Sequence, residues 1–161
     1  MRRVIVSALA LALLPAAVFA QDPAQQQPAA PAQPTAPKLA ITSPAAALLV
    51  QIKPDQTAVF EEMIGKLKAG LAKATDAKLQ QQGQSLKVYK AAEPMGSNAL
   101  YVIHIEPAVA DAEYELFQLM AKTMTPEELR APDAAEMWKR YQNAFAAGMS
   151  KLSLTPLGGG Q

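Results

Sequence analysis

The chain contains one histidine, His104, inside the run ALYVIHIEP (99–107), with Glu106 two residues further on. An imidazole beside a carboxylate is the smallest apparatus for general acid–base chemistry, because the acid fixes the ring tautomer and stabilises the protonated ring. Side chains alternate along a strand, so Glu106 falls on the face of His104. Pairing with other strands offers Gln51, Tyr89 and Ser153 as further polar neighbours on that face. His104, Gln51, Tyr89, Glu106 and Ser153 form the candidate ligand-binding set. None is assigned a catalytic role: the same-face neighbours of His104 on its strand are Val102 and Leu100, a setting for a histidine satisfied within an interface or touching a ligand.

Other chemistries are poorly supplied. Cysteine is absent from all 161 residues, which excludes disulfides, thiolate metal sites and thiol nucleophiles. One histidine with one or two carboxylates is a weak transition-metal set, and no Ser-His-Asp order, glycine-rich phosphate loop or paired-carboxylate signature is present. No metal and no cofactor is assigned. Trp138, Tyr141 and Phe145 recur at the spacing of a helix core stripe rather than of a cofactor box. Met120, Met124 and Met137 lie on helical runs, where methionine fills irregular gaps.

The elements that must position these residues are legible in the spacing. AAALLVQIKP (45–54) is an apolar run ended by Pro54 and reads as a buried strand. From Pro54 an amphipathic helix follows, with Val59, Phe60, Met63, Ile64, Leu67 and Leu71 on one stripe, acids early and lysines late. A polar stretch, TDAKLQQQGQS, comes next. LKVYKAA (86–92) and ALYVIHIEP (99–107) flank the turn residues EPMGSN (93–98) and form a hairpin. Helical patterning resumes at Tyr114, Phe117 and Met120 or Ala121. It restarts at Thr125, where Pro126 and Glu128 complete a capping box, and again at Met137, with Gly148 placed to end it. SKLSLTPL (150–157) alternates as a last strand.

That order predicts an α+β, ferredoxin-like β-α-β-β-α-β fold with a four-stranded antiparallel sheet and a second crossover elongated into two or three helices. The helices carry apolar stripe enough for one sheet face. Leu48, Val50, Ile52, Val88, Tyr101, Ile103, Ile105, Leu152 and Leu154 are assigned to it. The other face then holds Leu49, Gln51, Lys87, Tyr89, Leu100, Val102, His104 and Ser153, too apolar for a wet surface and too polar for a second helix layer.

The ends of the chain have a different character. MRRVIVSALALALLPAAVFA (1–20) has the charged, apolar and small-residue order of a secretory signal peptide, and its apolar run is shorter than the roughly 20 residues that span a bilayer. Cleavage after Ala20 is expected, giving a periplasmic or secreted protein with no membrane span. Residues 21–37, QDPAQQQPAAPAQPTAP, hold no large apolar side chain and many prolines, the composition of a disordered tether. The domain is placed at 38–156, and 157–161 is a flexible tail. Loss of Arg2 and Arg3 with the leader turns 15 basic residues into 13 against 14 acidic ones, so the net charge moves from +1 to −1. Such a balance carries none of the positive field of a nucleic-acid binder.

The strand ending in Lys-Pro and followed by a Phe-Glu-Glu helix, in LLVQIKPDQTAVFEEMIGKL, together with the later ALYVIHIEP strand, resembles the dimeric α/β-barrel superfamily. Antibiotic-biosynthesis monooxygenases and Dabb-type proteins belong to that group, and the similarity covers about residues 46–156. The resemblance implies a homodimer whose sheets face each other, with any site for a small apolar or aromatic ligand in the barrel between sheet and helices. It also implies an alternative, a cofactor-independent monooxygenase-like enzyme with its site around His104. The haem-degrading members use an asparagine, a histidine and a tryptophan. Here the corresponding strand position is Gln51, and Trp138 and His104 lie on other elements, so no family role is carried over. An exported, non-catalytic module, either small-ligand-binding or a structural homodimer, is therefore the expected function.

Overall fold

The computed structural model describes residues 38–157. The expected leader (1–20), the tether (21–37) and residues 158–161 of the tail lie outside the described residues. Ten elements follow one another: β1 (Ala45–Ile52), a 3-10 turn (Pro54–Gln56), α1 (Thr57–Lys73), α2 (Ala77–Ser85), β2 (Leu86–Lys90), β3 (Ala99–Ile105), α3 (Leu116–Thr123), α4 (Pro126–Arg130), α5 (Ala134–Ala144) and β4 (Ser150–Leu154). The strands pair antiparallel in the order β2-β3-β1-β4, the ferredoxin-like arrangement, and the second crossover is drawn out into α3, α4 and α5. Among the described residues no helix is long and apolar enough to cross a membrane.

β1 sits at the centre because its residues are apolar almost throughout; only Leu49 and Gln51 are less than fully buried. α1 turns Phe60, Met63, Ile64, Leu67 and Leu71 onto the sheet, as its 3.6-residue stripe requires. Phe60 packs on Tyr101 with ring centroids 4.6 Å apart, and Leu48, Ile103, Ile105, Leu119 and Tyr141 are wholly enclosed around it. At Thr125 the capping box forms as its sequence dictates: Thr125 Oγ1 accepts from Glu128 N at 3.2 Å, and Thr125 N donates to Glu128 Oε2 at 2.7 Å.

Two adjacent glutamates on α1 clamp the layers. The Glu61 carboxylate accepts from the Tyr101 hydroxyl at 2.6 Å and from Lys90 Nζ at 2.9 Å. Glu62 accepts from Tyr141 at 3.0 Å and from Arg140 at 2.8 Å, with Lys66 at 3.3 Å. The Tyr101 hydroxyl, then Lys90, holds the Glu61 carboxyl below the usual carboxylate range. At Glu62 partial burial works to raise the pKa, but Tyr141, Lys66 and Arg140 outweigh it and the net direction is down.

Several local expectations need correction. The polar stretch after α1 is a helix, α2, started by Asp76, whose carboxylate accepts from Leu79 N at 2.9 Å. Tyr114 is not helical: it lies before α3, fully buried, and its hydroxyl accepts from Val109 N at 2.9 Å. α5 ends at Ala144 rather than near Gly148, because Phe145 turns extended to bridge with Ile52. The faces of β4 are also exchanged. Leu152 lies opposite Ala47 and Leu154 opposite Ala45, so both belong to the open face, whereas Ser153 lies opposite Ala46 on the helix side.

Glu113, which no motif or spacing singles out, is 5% exposed and binds three backbone N–H groups. These are Lys38 at 2.7 Å, Leu39 at 3.0 Å and Glu115 at 2.8 Å. The side chain of Gln82, itself buried on α2, donates to the Glu113 carbonyl at 2.6 Å. Burial alone would raise the Glu113 carboxyl, but the N–H groups of Glu115, Lys38 and Leu39 and the charge of Lys122 hold it below its ordinary value.

Candidate functional site

Every predicted site residue lies in or beside the sheet, and the strand register decides which of them meet. Residues directly opposite one another share a face. One row across the open face is therefore Leu152, Ala47, His104 and Lys87, and the next is Ser150, Leu49, Val102 and Tyr89. Tyr89 thus neighbours His104 diagonally. Glu106 follows β3 and brings Oε2 to 3.6 Å from His104 Nε2, longer than a hydrogen bond.

The other two residues do not converge on the histidine. Gln51 pairs with Leu100, four residues along β3 from His104, which is about 13 Å at the rise of a strand. Its Oε1 instead accepts from Asn98 Nδ2 at 3.3 Å. Ser153, by its register, faces the opposite side of the sheet. The predicted set of five therefore reduces to His104 and Glu106, with Tyr89 beside them.

The chemistry available to this cluster is limited by its partners. His104 keeps 29% of its side chain exposed and Glu106 keeps 52%, so water reaches both. Among the described residues no hydrogen bond reaches the His104 ring, and the residues directly opposite it are Ala47 and Lys87. Two donors fall short of the three or four protein ligands of a zinc site, and no group of three His, Cys, Asp or Glu suited to a metal occurs among the described residues.

What the face does present is aliphatic surface. Leu49, Leu100, Val102 and Leu154 are half-buried, Leu152 is 48% exposed and Tyr89 is 54% exposed. None of these belongs to the core that the helices cover. Lys87 and Glu106 supply one charge of each sign at the edge of the patch. Sequence reasoning missed Leu152 and Leu154 as members of this face. The available signal was that β4 alternates Leu with Lys and Ser, but which parity faces the helices is set by pairing with β1 and not by hydropathy. Compared with known proteins, the chain matches no family model, no curated protein and no solved structure.

Proposed function

We propose that this chain is an exported, non-catalytic α+β module, periplasmic or secreted, that works as a homodimer. Two sheets face each other and leave room between them for a small apolar or aromatic ligand. The observation that carries the reading is the aliphatic patch on the open face, Leu49, Leu100, Val102, Leu152 and Leu154, which no other layer of the described residues covers. Contiguous apolar surface of this kind marks an interaction site, and sheets pack face to face about 10 Å apart.

A second copy is the occupant that suits the face. An isologous interface places one patch against itself, so like charges would repel across it. Here Lys87 and Glu106 are of opposite sign and leave the face neutral, with Tyr89 able to lie against aliphatic side chains. The resemblance to dimeric α/β barrels supports the same geometry. The exposure of His104 and Glu106, without a third partner, supports a role in ligand contact over turnover.

Native mass spectrometry of the wild-type protein at micromolar concentration tests the proposal. A dimer is expected, and Val102→Lys is expected to give a monomer with unchanged helix content by circular dichroism. A monomeric wild type overturns the dimer. Intact mass of the exported protein tests the leader, with a chain beginning at Gln21 as the expected product.

A further inference from the structure

We infer that the helical layer holds a second site, which takes a free single-chain amphiphile with an anionic head, of the fatty-acid class. A cavity of about 880 Å³ opens between the C-terminal half of α1 and the α3–α4–α5 crossover. Small-molecule pockets span roughly 300 to 1,000 Å³. No strand contributes to its lining, so the site is separate from the open sheet face and does not depend on the dimer.

One wall is apolar and adaptable. Met120, Met124, Met137 and Leu79 line it, and all but Met120 keep part of their surface accessible. Unbranched, polarisable thioethers follow the shape of a flexible alkyl chain at little cost. The lining is also cationic where two helices cross. At Gly70 the α1 backbone lies so close to the Thr123 side chain that an added Cβ would collide with its Oγ1, which brings the last turns of α1 and α3 together. Lys73 belongs to one of those turns and Lys122 to the other, and both line the cavity.

Neither ammonium group has a hydrogen-bond or ion-pair partner among the described residues, whereas Lys66, the third lysine of the lining, lies 3.3 Å from Glu62. Lys122 acts on Glu113 at longer range, but that carboxylate is already filled by backbone N–H groups. Each lysine also faces the carbonyl end of its own helix, worth about half a negative charge, and the lining as a whole sets three lysines, Lys66, Lys73 and Lys122, against three acids, Asp76, Glu128 and Asp133. The acids on the rim are differently placed. Asp76 is bound to Leu79 N and Glu128 to Thr125 N, and Asp133 alone makes no capping bond. Two unpartnered cations beside a thioether wall fit one carboxylate head with its chain laid over the methionines. The rim acids oppose a flat anionic bilayer, which favours a free molecule over a membrane surface.

Isothermal titration calorimetry of the full-length chain with dodecanoate, kept below its micelle concentration, tests this. Saturable binding of one dodecanoate per chain is expected. The double variant Lys73→Glu with Lys122→Glu, and separately Met124→Gln with Met137→Gln, should each weaken it by about tenfold or more. Dodecyltrimethylammonium should bind at least about tenfold more weakly than dodecanoate. Val102→Lys, which alters only the sheet face, should bind dodecanoate like the wild type whatever its own oligomeric state. The inference is overturned by absent saturable heat, by equal binding of the two amphiphiles, or by unchanged affinity in either folded double variant. Loss of binding in Val102→Lys, or preference for phosphatidylglycerol vesicles over monomeric dodecanoate, overturns it as well.

Discussion

Leu48 and Leu49 are neighbours in β1, yet the first is wholly enclosed under α1 and the second is half-covered on the open face. The same contrast separates Tyr101, 3% exposed with its hydroxyl on Glu61, from Tyr89, 54% exposed with no hydrogen bond from its hydroxyl among the described residues. On the helix side each apolar group has a facing partner and each buried side-chain polar atom of the described residues is satisfied. On the open side the aliphatic groups have only their own sheet. One surface is finished within the chain and the other calls for something outside it.

Substitution of like residues on the two faces measures that difference. Leu48→Ala should cost about 2–5 kcal/mol in urea unfolding, through lost transfer energy and the cavity left behind. Leu49→Ala should cost the monomer under about 1 kcal/mol and act mainly on association. Equal losses at the two sites would dissolve the contrast.

Glu113→Gln comes next, at about 2–3 kcal/mol, because an amide turns N–H donors toward converging N–H groups. The sign of its pH dependence follows from the lowered carboxyl. Stabilisation is fully present above the unfolded-state pKa and is lost as pH falls through the folded-state value. Wild-type unfolding free energy should therefore drop on acidification, and Glu113→Gln should flatten that limb of the curve.

Tyr101→Phe should cost roughly 1–2 kcal/mol, the scale of a hydrogen bond to a charged group reduced by the half-exposed position of Glu61. Tyr89→Phe should stay within about 0.5 kcal/mol. His104→Gln, which keeps a donor and an acceptor, should change dimer stability by about 1 kcal/mol or less. A far larger loss of a measured turnover at unchanged folding would instead make His104 a base.

The pattern of residues foretold the helix-covered side far better than the open one. Phe60, Met63, Ile64, Leu67 and Leu71 declare their helix because a stripe buried on one side must repeat at 3.6 residues. Thr125 and Glu128 declare their cap because both partners lie within one turn. α2 escaped because its burial is polar: Gln82 is enclosed by a carbonyl bond to Glu113, 31 residues away, which no local window contains. The faces of β4 escaped for a related reason, since Leu152 and Ser153 are sorted by pairing with Ala47 and Ala46, and alternation by itself is symmetric. Of the candidate residues, His104, Glu106 and Tyr89 lie near one another on the open face, whereas the positions of Gln51 and Ser153 are set by that register.

The grip on residues 38 and 39 also has a mechanical meaning. Tension entering the domain at Lys38 meets the Glu113 bonds first, then the bond from Tyr114 N to Leu39 O at 3.0 Å, and only later the bond from Ala108 N to Pro44 O at 2.8 Å. These contacts run as an antiparallel seam, so a pull peels them one after another instead of shearing them together. The outermost link is ionic and releases in acid, while the innermost is neutral. Force on the preceding chain would thus be spent in this seam before it reached Ala45 and the central strand, and acid would lower the threshold at which the seam begins to give.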